Sequence, residues 1–140
     1  ASVLACAGLV ALAAGDPAAE VYRGADVAQL AKIERLVGRL HLRVGYAGYW
    51  DAASLQWSSG ERLQVHPLIE AGGRTEPSPL ARAASWYVPR AATPSYLVLA
   101  PHDDDFPDRL PADLSAPART YRLGEITVDV YPYDLARFLH

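Results

Sequence analysis

The run SYLVLA at residues 95–100 constrains this chain most. It is a compact, nearly unbroken apolar stretch of strand length, and it reads as a strand buried on both faces. Such a strand lies inside a sheet, and both faces of that sheet need cover. The rest of the chain offers it. Residues 25–40 repeat Val27, Leu30, Ile33, Leu36, Val37 and Leu40 at three- and four-residue spacing, an amphipathic helix with Asp26 at its start and Arg35, Arg39 and His41 toward its end. Residues 42–46 read as a short strand entering a turn at Gly45, residues 47–57 as a second helix stopped by SSG, and residues 62–69 as a strand. Residues 70–79 read as a loop and residues 86–94 as irregular chain. Residues 119–134 read as a hairpin turning at Gly124-Glu125, followed by a terminal helical turn or two. The expectation is an α/β fold: a compact sandwich whose mixed sheet includes residues 42–44, 63–66, 96–99 and 126–130.

Composition excludes several functions. The chain's 140 residues suit one domain, and 13 basic against 16 acidic residues give a net charge of −3, without the basic face a nucleic-acid partner requires. The lone Cys6 excludes an internal disulfide or a cysteine metal cluster, and the four His lack ligand spacing. No GxSxG elbow is present, and GYAG at residues 45–48 is not a dinucleotide fingerprint; the bulk of Tyr46 obstructs a pyrophosphate. No cofactor and no metal are expected. Residues 1–15 carry no charge and are cut short by Asp16-Pro17. Three readings compete for them: the end of a transmembrane helix, ranked first, then a buried helix of a soluble fold, then a signal-peptide core. With no Met anywhere, the chain reads as processed or as a piece of something longer. The expected organisation is an apolar N-terminal helix over residues 1–15, a membrane-span remnant, and one domain over residues 16–140.

GYAGYWDAASLQW, residues 45–57, packs two Tyr, two Trp and two Gly around one acid. On a helix Trp50, Ser54 and Trp57 share one face, Tyr49, Ala53 and Gln56 a second, and Asp51 and Leu55 a third. Rings this dense either plug a core or form a recognition surface. A split is expected: Trp50 buried as a packing anchor, and Tyr46 or Tyr49 with Asp51 at the rim of a shallow groove. An unpaired Asp51 would be costly to bury. Tyr46, Tyr49, Asp51 and Trp57 are therefore the candidate binding residues, suited to stacking a sugar ring while a carboxylate takes its hydroxyls. His102, Asp103, Asp104 and Asp105 follow the best strand at its C-terminal end and form a second candidate, for a divalent cation or an acid/base pair. The stronger reading of that Asp run is a solvated loop.

Three elements then resemble a known family: Gly45-Tyr46, Tyr49-Trp50-x-Ala52 and Tyr131-Pro132-Tyr133-Asp134. Over residues 25–140 the chain resembles C-terminal extracytoplasmic domains of actinobacterial multi-spanning membrane glycosyltransferases, mannosyltransferase-like and dependent on polyprenol-phosphate sugars. The resemblance implies an accessory domain in cell-envelope glycan assembly, on the outer face of the cell membrane, attached through the N-terminal segment and in contact with glycan or polyprenol-phosphate sugar. It transfers no catalytic residue, because such enzymes carry their catalytic carboxylate in a loop this chain does not contain. Two rival expectations stand beside it: a stand-alone envelope binding or scaffold module, and a small enzyme using His102 and the Asp103, Asp104 and Asp105 run.

Overall fold

A computed structural model describes residues 27–81, 83–101 and 106–139. The expected helix over residues 1–15 and the His102, Asp103, Asp104 and Asp105 loop lie outside the described residues. Among the described residues, no helix is long and apolar enough to cross a membrane.

The chain forms helix α1 (Val27–Arg39), strand β1 (Val44–Gly48), helix α2 (Tyr49–Ser58), and strands β2 (Val65–Ala71) and β3 (Arg74–Pro77). A 3-10 turn (Ala84–Tyr87) leads into β4 (Ser95–Leu99), β5 (Arg119–Leu123) and β6 (Ile126–Tyr131), and a second 3-10 turn (Leu135–Phe138) follows. The six strands make one mixed sheet in the order β3-β2-β1-β4-β6-β5. β1 runs parallel to both β2 and β4, and the remaining pairs are antiparallel. This is the α/β architecture with a mixed sheet that the sequence pattern implies.

β1 and β4 lie side by side at the centre, and every residue of both is buried. That double-sided burial is why SYLVLA carries no alternation. One face of the sheet is covered by the two helices. Leu30, Ile33, Leu36 and Val37 of α1 and Ala52 and Leu55 of α2 pack there on Ala47, Val65, Tyr96, Val98, Ile126 and Val128. The other face carries Val44, Tyr46, Leu68, Leu97, Leu99 and Tyr131, and irregular segments cover it with Phe106, Leu114, Leu135 and Ala136.

Beyond the turn expected at Gly45, which is instead the interior of β1, two expectations need correction. The expected loop at residues 70–79 contains a hairpin, in which Ala71 pairs with Arg74 across Gly72-Gly73. Both glycines have positive φ, 59° and 75°, as a two-residue primed turn requires. Asp113 fixes the returning strand by accepting from the Thr75 backbone N–H at 2.6 Å and its hydroxyl at 2.7 Å. The second correction is to Trp50, which is 40% exposed and is no packing anchor. The expected face-sharing with Trp57 places both rings on the side of α2 turned away from the sheet. The small Ala52, with Leu55, faces inward and lets the helix approach β2 closely, where an indole would hold it off.

Candidate functional site

A groove of about 460 Å³ opens between α2 and the segment around the first 3-10 turn. α2 lines it with Tyr49, Gln56 and Trp57, β2 with Pro67, and the facing segment with Leu80 and Trp86. Trp57 is 88% exposed, so its indole contributes almost nothing to the core. Gln56 donates to the Val65 carbonyl, which holds its amide against the groove wall. Glu61 supplies a carboxylate. Its backbone sits in the left-handed region, φ 62°, at a cost of about 1 kcal/mol for a residue with a Cβ. The hydrogen bond from its N–H to the Gln56 carbonyl, at 2.8 Å, holds it there.

The facing wall is anchored from behind. The Tyr87 hydroxyl donates to the Pro67 carbonyl at 2.6 Å, tying the 3-10 turn to β2. Trp86 stacks on the buried His66 ring, with centroids 5.0 Å apart and planes at 23°. His66 in turn meets the edge of Tyr46, its register partner on β1. The Tyr46 hydroxyl donates to Asp134 at 2.5 Å. Asp134 also accepts from the Arg90 backbone N–H at 3.0 Å, the Arg90 guanidinium at 3.3 Å and the Ala136 N–H at 3.1 Å. Burial alone would raise the Asp134 carboxyl, but these donors outweigh it and hold the group below its ordinary range. Burial, reinforced by the bond to Asp134, pushes the Tyr46 hydroxyl up.

His66 has no hydrogen-bond partner at either ring nitrogen among the described residues. Burial, aided by the Arg90 charge and opposed by Asp134, pushes it down from 6.5 to about 4. The folded protein therefore binds fewer protons than the unfolded chain between those values. The contribution of this group is fully present above pH 6.5 and is lost as pH falls toward 4. The loss attributable to this one group is roughly 3 kcal/mol. His66→Phe keeps a ring for Trp86 to stack on and removes the two unpaired nitrogens. Its unfolding free energy is expected to exceed or match the parent's near neutrality, and to fall less than the parent's by about pH 4.5. An equal fall in unfolding free energy for the two proteins between about pH 7 and pH 4.5, read from denaturant titrations, would show that His66 does not titrate across folding.

Of the four candidate binding residues, the structure brings Tyr49 and Trp57 together in the groove. Tyr46 and Asp51, expected at a rim, are buried, with 0% and 6% exposure. Tyr46 points to the opposite face of the sheet from α2, because β1 runs through Gly48 and alternation places Ala47, not Tyr46, beneath the helices. Asp51 lies in the first turn of α2, where the helix dipole favours an acid. Trp86, Glu61 and Gln56 complete the groove and were not among the candidates. The signal for Trp86 was the Trp86-Tyr87 pair inside an otherwise irregular stretch, and only tertiary structure places it opposite Trp57. No protein-family model, no curated protein and no solved structure matches this chain.

Proposed function

We propose that this domain is a non-catalytic carbohydrate-binding domain and that the groove between Trp57 and Trp86 is its site. The observation that carries the reading is the pairing of a nearly fully exposed indole with a second, anchored indole and Tyr49 around a concave surface that also holds Glu61 and Gln56. Aromatic walls with a few fixed polar groups make up a typical small-ligand site, and the volume lies within the usual range. Sugar C–H faces pack on the rings while the carboxylate and amide take hydroxyls. On this reading the domain is the accessory part of a membrane glycosyltransferase of the cell envelope. It lies on the extracytoplasmic side, is held to the membrane through the N-terminal segment, and binds glycan or a sugar carried on polyprenol phosphate. Chemistry is left to a catalytic centre elsewhere in the assembly.

Titration of the full chain with a panel of envelope mono- and oligosaccharides, followed by indole fluorescence, tests the proposal. Saturable quenching is expected for at least one sugar. Trp57→Ala should weaken it by roughly tenfold or more. Because Trp57 is so exposed, the same change should alter stability by no more than about 0.5 kcal/mol. Glu61→Gln should weaken binding with the fold equally intact. A panel in which no sugar perturbs the indoles, or binding indifferent to Trp57→Ala, would sink the proposal.

A further inference from the structure

We propose that a second groove, at the N-terminal ends of β1, β2 and β4, binds a phosphoryl group through Arg43, Arg62 and Arg90. This groove, of about 460 Å³, is lined by those three arginines together with Gln64, Thr93 and Tyr96, and its lining contains no carboxylate. The convergence arises because three parallel strands start side by side, so the loops that precede them meet at one end of the sheet. Arg43 comes from the approach to β1, Arg62 and Gln64 from the approach to β2, and Arg90 and Thr93 from the approach to β4.

The charges do not cancel. Arg62 pairs with Glu34 at 3.1 Å and Arg90 with Asp134 at 3.3 Å, whereas Arg43 has no ion pair among the described residues. A guanidinium carries five N–H donors in a planar fork, so one carboxylate contact leaves donors on Arg62 and Arg90 for a second anion. A tetrahedral phosphoryl group offers three outer oxygens and up to two charges, enough to take donors from three directions at once. A carboxylate carries a single charge on two coplanar oxygens and matches three converging guanidiniums less well.

An independent observation points the same way. Tyr96 is completely buried, forms part of the groove wall, and its hydroxyl has no hydrogen-bond partner among the described residues. A buried donor without an acceptor is a standing cost that a bound oxygen would remove. The two grooves share no lining residue, so this site stands or falls separately from the glycan reading.

The test uses the full chain, inorganic pyrophosphate as probe at low ionic strength, and the arginine Nε–H and tyrosine signals in NMR. Saturable shifts at Arg43, Arg62, Arg90 and Tyr96 are expected, weakening with added salt. Arg43→Gln, at an exposed position outside any bond network, should reduce affinity by roughly tenfold. Tyr96→Phe should reduce it several-fold without lowering the melting temperature. A parallel arm with vesicles of phosphatidic acid in phosphatidylcholine identifies the source. Retention on those vesicles and not on pure phosphatidylcholine, lost in Arg43→Gln, assigns the site to a lipid headgroup. Pyrophosphate binding without vesicle binding assigns it to a soluble phosphoester. Binding in neither arm, equal binding by Arg43→Gln, or tighter binding of acetate than of pyrophosphate overturns the proposal.

Discussion

Asp134→Ala is expected to lower the unfolding free energy by about 3–5 kcal/mol, the cost of breaking a buried charge pair from one side. The carboxylate side chain is 1% exposed and accepts hydrogen bonds from Tyr46, Arg90 and Ala136. Removing it strands the fully buried Tyr46 hydroxyl without its acceptor, and leaves the Arg90 guanidinium, 35% exposed, without its counter-charge. It also removes the side-chain cap of the second 3-10 turn, whose Leu135 and Ala136 seal one face of the sheet. Asp134→Asn keeps the shape but offers one carbonyl oxygen in place of two, and should cost less, about 1–3 kcal/mol. Tyr46→Phe combined with Asp134→Ala should be milder than the sum of the two, because the single Asp134 change already carries the penalty of the orphaned phenol. Equilibrium denaturation of the parent, the three single variants and the double variant reads all of this. A cost below about 1 kcal/mol for Asp134→Ala would mean that water reaches the network.

Gly45→Ala should be at least as damaging, for a different reason. A Cβ built on Gly45 would stand 2.2 Å from Cζ and 2.3 Å from Cε2 of Tyr96. The two residues are register partners on neighbouring central strands, and the Tyr96 ring lies flat across the space a side chain would occupy. Neither partner can give way: every residue of both strands is buried, and the conflict is with the ring itself and not only with a flexible tip. The expected loss is about 3 kcal/mol or more, at or above the upper end of ordinary overpacking. Tyr96→Phe leaves the ring in place and should not rescue it, whereas Tyr96→Leu should recover part of the loss. Full stability of Gly45→Ala in a thermal melt would show that the Tyr96 ring does not cover Gly45 in solution.

These two sites mark where the sequence stops being readable. Central strands, the amphipathic α1 and the β5–β6 hairpin are legible because their signals are local: an unbroken apolar run, a 3.6-residue period, and alternation around Gly124-Glu125. The β2–β3 hairpin carried the right turn residues at Gly72-Gly73. Its second strand, Arg74–Pro77, is a charged edge strand with no apolar alternation to announce it. Helix α2 was found, but not which way it faces. YWDAASLQWS spreads its apolar residues around the axis, and ring size pointed to Trp50 where close approach selected Ala52. The bond between Tyr46 and Asp134 joins residues 88 apart, and no local pattern encodes it. The groove is half-legible for the same reason: Tyr49 and Trp57 come from one helix, but Trp86 arrives from another part of the chain.

The strand order also fixes which parts of the sheet can form early. β2 with β3 and β5 with β6 are neighbours in the chain, closed by two-residue turns, so each pair can zip within its own segment. The parallel seam of β1 against β4 is different. Between those strands lie α2, a whole hairpin, the first 3-10 turn and the loops that join them. Loop-closure entropy is therefore concentrated in the middle of the molecule, where burial is deepest. Its outer ribbons can exist as local structure before the centre is joined, and the docking of two halves along one line, Val44↔Ser95 to Ala47↔Val98, carries the larger closure cost.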